Sequence, residues 1–418
     1  MSEQIGSTLH RATGESDYGR GMRGLLVPDV DEDFTADPVE LFFDLAFVFA
    51  FSQIVGLLLA EPTWQTIRDA TLIFLLLWLP WSQFAWSANA VPGNTREVRL
   101  LFLTATAASV PMAASISTAF DQGGALFAIP LAIIFLSALA MMVLGLAPDS
   151  AVRRSALRYA APNIVAMAVI VTGGFLDGDA RRVAWTIGIG IFVLATVRAG
   201  GGEWIIRAGH FAERHGLIII VALGEVIVAL GNAVAKPLDE GGVPAESVIA
   251  LVAAATFAGL LWWAYFDRVQ PAFEHRAETT PPSDRGRFAR DVYTYAHAPI
   301  VAGIILAAVA MEEMALHPTD PLPAAFRAMG AAGIFLYFTG VGIGVYRSFG
   351  VVAGERLAAF AMIGLLMLVA DGLDGVVLLI LIDVILLVTL VVEHLRIEGP
   401  RASAASVDDG RVVDDAAQ

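Results

Sequence analysis

Twelve apolar segments, separated by short polar stretches, divide the chain between residues 39 and 394. Each segment holds about 16–25 residues, close to the length that an α-helix needs to cross a hydrocarbon core of about 30 Å. The pattern therefore predicts an all-α, polytopic membrane helix bundle with about twelve transmembrane helices. The predicted spans are 39–60, 69–90, 98–119, 125–147, 157–176, 182–198, 214–232, 245–266, 292–314, 322–346, 356–371 and 374–394.

The composition agrees with a membrane protein and excludes several kinds of site. Of the 418 residues, 57% are hydrophobic and 16% are charged, whereas soluble domains carry about 25% charged residues. The chain has no cysteine, which excludes disulfides, thiolate catalysis and Cys-ligated zinc or iron–sulfur centres. Its seven histidines lack the spacing of an HExxH zinc site, and no Walker A or GxSxG motif occurs. We expect no metal and no cofactor.

The net charge of −15 is concentrated in the tails and loops. Residues 1–38 and 397–418 are polar and acidic, so they are predicted to be disordered cytoplasmic tails. Neither tail resembles the basic arm of a nucleic-acid-binding protein. The predicted partners are therefore the lipid bilayer and an unknown small solute or ion, with no nucleic acid, and the oligomeric state stays open.

Basic residues are distributed unequally between the two ends of the predicted helices. With the N-terminus in the cytoplasm, the cytoplasmic tails and loops collect most of the Lys and Arg residues. Of the 26 basic residues, the opposite side keeps only Arg68, Arg181, Arg182, Lys236 and Arg327. Because cytoplasmic loops carry an excess of positive charge, the sequence predicts that both termini are cytoplasmic.

Three sequence markers recur in the same order and indicate an internal repeat. The markers are Glu40 and Glu213 at helix starts, the Trp-rich helix ends Trp78–Trp86 and Leu260–Phe266, and the triplets Arg96–Val98 and Arg290–Val292. They predict two six-helix transmembrane halves, 39–198 and 199–396, in parallel repeat about an axis along the membrane normal. The alternative is that tryptophan belts and arginines at cytoplasmic helix starts occur in any bundle.

A single carboxylate interrupts the seventh apolar segment. Glu225 is the one ionisable residue between Leu217 and Leu230, and a helix that starts at Arg214 places it roughly 16 Å deep, near the bilayer midplane. An Asp near a helix centre costs about 2.5–3.5 kcal/mol on insertion. We expect Glu225 to act as a proton carrier at a midplane site, or else to make a structural interhelical hydrogen bond.

Other polar residues are predicted to lie below this midplane site. Glu40 and Asp44 are four residues apart and share a helix face, so either a cation lies nearby or one carboxyl group is protonated. The alternative is that Glu40, Glu213 and Arg214 only face lipid headgroups. Asp383, in the last span, is deep enough to need a partner. The binding or proton-coupling candidates are Glu40, Asp44, Ser52, Gln53, His210, Glu213, Arg214, Glu225, His297 and Asp383.

Three of these segments resemble the motifs of one family. The runs ELFFDLAFVFAFSQI, HFAERHGLIIIVALGEVIVALG and RDVYTYAHAPIVAGII are similar, in order, to the hallmarks of the bacterial low temperature requirement protein A (LtrA) family. The resemblance implies a multi-pass protein of the bacterial plasma membrane. By matching position, the polar residues of these motifs are Glu40, Asp44, His210, Glu213, Arg214, Glu225 and His297. The family name records a growth phenotype and implies no substrate.

Three classes of function agree with these observations. The first is a secondary transporter or channel with a midplane carboxylate, and it is the one that the two-half pattern favours. The second is an intramembrane enzyme that acts on a lipid or isoprenoid, although the paired aspartate-rich motifs of a diphosphate–Mg²⁺ site are missing. The third is a non-catalytic membrane sensor or assembly protein tied to low-temperature growth. Enzymatic activity is the less favoured reading.

Overall fold

The chain folds into a bundle of α-helices in a computed structural model. The structure describes the backbone of residues 34–93, 95–239 and 244–414, and the side chains of residues 34–93, 95–231 and 244–396. Within these ranges no strand forms, and the one extended contact is an isolated antiparallel bridge between Pro321 and Asp374. The predicted all-α membrane bundle is confirmed. The predicted N-terminal tail lies almost wholly outside the described residues.

Fourteen α-helices follow one another along the described residues. They are α1 (Pro38–Ala60), α2 (Trp64–Ala90), α3 (Arg96–Ala114), α4 (Gly124–Gly145), α5 (Ala151–Gly174), α6 (Gly178–Ala199), α7 (Ala208–Asp239), α8 (Ala245–Phe266), α9 (Val269–Thr279), α10 (Pro282–Ala289), α11 (His297–Leu316), α12 (Ala324–Phe349), α13 (Gly354–Val369) and α14 (Gly375–Asp414). A 3₁₀ turn at Ile116–Thr118 follows α3, and a π-helical segment, Arg290–Ala296, joins α10 to α11.

Eleven helical segments of the described residues are long and apolar enough to cross a membrane. In this count α8 continues into α9, and α10 continues into α11. The predicted span 356–371 corresponds to α13, which has 16 residues and is therefore about 24 Å long. The last helix, α14, extends to Asp414 and so includes residues for which a disordered tail is predicted.

Successive spans run in opposite directions, because the connections between them are short. We call the end of the bundle at which α1 begins the near face, and the end at which α1 ends the far face. The near face holds the start of α7 and the long connection formed by α9 and α10. The far face holds the starts of α2, α6 and α14.

The start of α1 is fixed by a capping box. The Asp37 side chain accepts a hydrogen bond from the Val39 backbone N–H (3.0 Å), and the Asp37 N–H donates to Oε1 of Glu40 (3.1 Å). Such a reciprocal pair satisfies backbone donors that the first turn of a helix leaves free. Arg99 of α3 also pairs with Asp37 at 3.0 Å. These contacts hold Glu40 in one orientation at the near face.

The helices pack in a similar order in the two predicted halves. In the first half, α1 contacts α3 and α3 contacts α4. Helix α4 then contacts α5, and α5 contacts α6. In the second half, α7 contacts α11 and α11 contacts α12. Helix α12 then contacts α13, and α13 contacts α14. The first helices of the two series, α1 and α7, also contact each other. The two-half relation itself stays a prediction.

Glycines bring α11 and α12 into backbone contact. A Cβ atom added at Gly303 would lie 2.5 Å from the carbonyl oxygen of Gly333, and one added at Gly340 would lie 2.5 Å from the carbonyl oxygen of Ala296. Small residues at such positions allow transmembrane helices to approach closely. The close approach fixes the π-helical segment and the start of α11, which carries His297, against α12.

Candidate functional site

A buried ion cluster, formed by Glu40, Asp44, His210 and Arg214, joins α1 to α7 close to the near face. The guanidinium of Arg214 donates to both carboxylate oxygens of Asp44, from Nη1 at 2.7 Å and from Nη2 at 3.0 Å. Its Nε lies 3.4 Å from Oε2 of Glu40. Arg214 and Glu40 are 0% exposed, so the pairing occurs entirely inside the protein. A two-pronged contact of this kind is the strongest geometry for an arginine–carboxylate pair.

The second carboxylate of the cluster also contacts a histidine. Nε2 of His210 lies 3.2 Å from Oε2 of Glu40, and Nδ1 of the same ring lies 3.4 Å from Nδ2 of Asn89. Asn89 further accepts from the Arg207 backbone N–H at 2.9 Å and donates to the Arg207 carbonyl at 2.9 Å. The end of α2 is therefore bonded to the segment that leads into α7.

Asp44 has one more donor, Trp81 of α2, whose Nε1 lies 2.9 Å from Oδ1. Sequence reasoning missed Trp81, because tryptophans near the end of a span are typical of a membrane interface. It also missed Asn89, because a single asparagine at the end of a span gives no signal of its own. Apart from His210, the cluster sets the two carboxyl groups of Glu40 and Asp44 against the one guanidinium of Arg214.

Glu213 lies beside this cluster and outside it. Its side chain is half-buried, and its Oε2 accepts a hydrogen bond from the backbone N–H of Ala36 at 2.8 Å. Glu213 thus holds the segment before α1 against α7. The alternative that Glu40 and Arg214 face lipid headgroups does not agree with the full burial of both side chains.

His297 belongs to a second set of hydrogen-bonded side chains, which aromatic rings separate from the ion cluster. Its Nε2 lies 2.7 Å from the hydroxyl of Tyr265, and its Nδ1 lies 2.8 Å from the carbonyl oxygen of Val292 in the π-helical segment. The ring of His215, which sequence reasoning missed, lies between His297 and Trp81, with centroid distances of 5.0 Å and 5.1 Å. Among the described residues, Nε2 of His215 has no hydrogen-bond partner.

Glu225 and Ser52 meet deeper in the bundle, where α7 crosses α1. The Ser52 hydroxyl donates to Oε2 of Glu225 at 2.7 Å, and the Glu225 side chain is 1% exposed. Ser52 lies eight residues after Asp44 in α1, which places this pair about 12 Å from the ion cluster along the helix. Phe47 and Phe51, both buried, fill the intervening turns of α1.

A polar cleft opens from the far face and reaches Ser52. Its volume is about 640 Å³. Ser52 and Gln53 line its inner end, and Glu61, Thr63, Gln65 and Thr66 line its outer end. An ion pair crosses the wall, since Nη2 of Arg182 lies 2.6 Å from Oδ2 of Asp69. The cleft therefore ends at the side chain that donates to Glu225.

Two further buried carboxyl groups lie in the far half of the bundle. Asp383 of α14 is 8% exposed, and its Oδ1 has no hydrogen-bond partner among the described residues. Glu312 of α11 is buried as well. In the part of the chain that the structure describes, Asp383 makes no hydrogen bond or ion pair with the ion cluster. No group of three His, Asp or Glu side chains within the described residues could hold a metal ion.

The fold and these buried polar groups define a multi-pass membrane helix protein. An ion cluster lies at its near face, and a cleft that opens from the far face ends beside the buried carboxylate of Glu225. The chain belongs to the LtrA family, since the family described as Bacterial low temperature requirement A protein (LtrA) matches residues 35–391. The resemblance of the three motifs is thereby confirmed. The chain is also 30% identical over 290 residues to the uncharacterized protein RA0937 of Rhizobium meliloti (strain 1021), covering 67% of this chain and 69% of that protein. No solved structure matches the chain.

Proposed function

We propose that the protein is a secondary transporter in which protonation of Glu225 is coupled to the passage of a small solute or ion. The observation that carries the proposal is the polar cleft that ends at Ser52, the hydrogen-bond donor to Glu225. A carboxylate with a purely structural role would be enclosed by dry packing on all sides. Here a hydroxyl at the end of a polar cleft links the carboxylate to the far face, so a proton or cation has a polar route toward it.

The ion cluster acts as the closed gate on the other side. Arg214, Asp44 and Glu40 are buried between α1 and α7, so these two helices are closed against each other at the near face while the polar cleft is open at the far face. Opening the near face requires α1 and α7 to separate, which breaks the pairing of Arg214 with Asp44. Alternating access by two halves that move about a midplane site is a recurrent mechanism of secondary transporters.

The two predicted halves fit this mechanism. The Ser52–Glu225 and Arg214–Asp44 contacts both join α1 to α7, which are the first helices of the halves 39–198 and 199–396. A movement of one half against the other would therefore act on the gate and on the midplane pair together. The route for protons and the gate would then be coupled through the same two helices.

Replacement Glu225→Gln tests the role of the carboxylate. The amide keeps the shape and accepts the hydrogen bond from Ser52 but carries no charge, so we expect normal expression and stability with loss of proton-coupled flux. The measurement is proton movement in proteoliposomes that contain a pH-sensitive dye, under imposed gradients of a panel of ions. Glu246→Gln, at an exposed carboxylate in the first turn of α8, is the matched control and should keep wild-type flux.

Full flux in Glu225→Gln would contradict the proposal and leave Glu225 as a packing residue. Ser52→Ala gives a second variant, which keeps the carboxylate but removes its donor and should lower the rate without abolishing it. If Glu225→Gln does not fold while Ser52→Ala keeps wild-type flux, the role of the carboxylate is structural.

We further propose that the near face is cytoplasmic, in the plasma membrane of a bacterium. A cysteine introduced at Ser283, exposed in α10 at the near face, should resist a membrane-impermeant maleimide added outside intact cells. A cysteine at Thr319, exposed at the far face, should react, and the absence of native cysteines makes both results unambiguous. Labelling at position 283 with protection at position 319 would reverse the orientation.

A further inference from the structure

A second cleft, unrelated to the polar cleft of the far face, opens at the near face. It has a volume of about 590 Å³ and lies where the chain turns from α12 into α13. The turn begins at Gly350, whose φ of 68° lies in the left-handed region that favours glycine. Two arginines, Arg347 and Arg356, line the cleft together with apolar and aromatic side chains.

Arg356 is buried in this cleft with only part of its hydrogen-bonding capacity used. Its side chain is 6% exposed. One edge of the guanidinium contacts Glu393 of α14, from Nε at 3.1 Å and from Nη2 at 3.0 Å. The remaining Nη1 has no hydrogen-bond partner among the described residues. A buried donor without an acceptor is costly, so this edge is suited to an acceptor from a bound molecule.

Arg347 adds a second guanidinium to the same cleft. Its Nε donates to Oδ2 of Asp291 at 3.0 Å, and the other carboxylate oxygen of Asp291 is taken by Arg290 at 2.6 Å. The one carboxylate that lines the cleft is thus shared by two arginines. Counted with Glu393 and Arg290, three arginines face two carboxylates at this cleft, which leaves an excess of one positive charge. An anionic group is the complementary ligand.

Most of the rest of the cleft wall is apolar or aromatic. Ile343, Tyr346, Val352 and Leu357 line it and are largely exposed. In a membrane-spanning bundle such side chains contact acyl chains. A ligand of this cleft must therefore carry an anionic group at one end and hydrocarbon at the other.

We propose that this cleft binds an anionic phospholipid. Its phosphate accepts hydrogen bonds from Nη1 of Arg356 and from Arg347, and its acyl chains lie along Ile343, Val352 and Leu357. Basic pockets between transmembrane helices bind anionic headgroups in this manner. A free phosphate would satisfy the arginines but leave the apolar wall uncovered. The proposal does not depend on the transport function.

The test counts lipids bound to the purified full-length chain by native mass spectrometry, with phosphatidylglycerol and phosphatidylcholine offered in turn. We expect selective retention of phosphatidylglycerol by the wild type. The double variant Arg356→Gln/Glu393→Gln removes the ion pair without leaving a lone carboxylate, and should weaken retention about tenfold, as expected for the loss of one charge-assisted hydrogen bond. Arg327→Gln, at the far face, is the control and should bind as the wild type does.

Three results would overturn the proposal. One is equal retention of the two lipids by the wild type, and another is unchanged phosphatidylglycerol retention in the double variant. The third is displacement of phosphatidylglycerol by inorganic phosphate, which would mean that the cleft recognises phosphate alone. If the double variant does not fold, Arg347→Gln, at a half-exposed side chain, decides the matter, because it should also lower retention.

Discussion

Replacement of Arg214 by methionine is expected to destabilise the protein severely. The change leaves Glu40 and Asp44 buried four residues apart on α1 without their shared cation. Removing one partner of a buried ion pair costs about 3–5 kcal/mol, and here two carboxylates lose that partner. We expect a large drop in melting temperature of the detergent-solubilised protein, measured by thermal unfolding and by monodispersity on size exclusion. Arg154→Met, at an exposed arginine of the near face, should have little effect.

A compensating variant separates the effect of the lost charge on stability from the effect of the lost side-chain packing. Adding Glu40→Gln and Asp44→Asn to Arg214→Met removes the uncompensated charges and should restore most of the lost melting temperature, since well-packed neutral replacements of buried ion pairs are tolerated. A triple variant as unstable as Arg214→Met would show that the arginine acts through its volume. A stable Arg214→Met single variant would contradict the account of the ion cluster.

The second large effect is expected at the contact between α11 and α12. In Gly340→Ala, the new Cβ atom would lie 2.5 Å from the Ala296 carbonyl oxygen and 2.5 Å from Cγ1 of Ile300. The two helices must then move apart, and overpacking of this kind costs typically about 1–3 kcal/mol. We expect a lower melting temperature, together with displacement of the π-helical segment that ends beside His297.

A matched control lies two residues further along the same helix. Gly342 has no atom within 4 Å of its added Cβ, so Gly342→Ala meets open space and gains helix propensity of about 1 kcal/mol. The two variants should therefore shift the melting temperature in opposite directions. Equal shifts would show that the backbone contact at Gly340 does not limit the packing of α12.

The fold class could be predicted from the sequence because the length of an apolar segment is enough to indicate a membrane span. Residue count along a helix also indicates depth, which is why Glu40, Asp44, His210 and Arg214 were predicted at one level. Rotation about the helix axis does not follow from residue count. His297 was predicted at that level too, and its side chain bonds to Tyr265 and to the π-helical segment and not to the ion cluster.

Contacts between helices far apart in sequence were the part that sequence reasoning could not reach. Glu393 of α14 pairs with Arg356 of α13, and its neighbour His394 contacts Arg268 at 3.3 Å. Trp81 could have been found from one signal. A tryptophan N–H inside a predicted span needs an acceptor, and Asp44 in the neighbouring span was available.

The number of residues between Ser52 and Glu225 along the chain bears on how the protein arose. These residues are 173 positions apart, the same separation as between the repeat markers Glu40 and Glu213. Under the proposed two-half arrangement they are equivalent positions that meet at the symmetry axis. A homodimer of identical halves would place two glutamates or two serines there, giving either a carboxyl pair that must share a proton or no charge at all. A fused chain can set a single carboxylate at that position, so under the proposed function this site would carry at most one proton per chain.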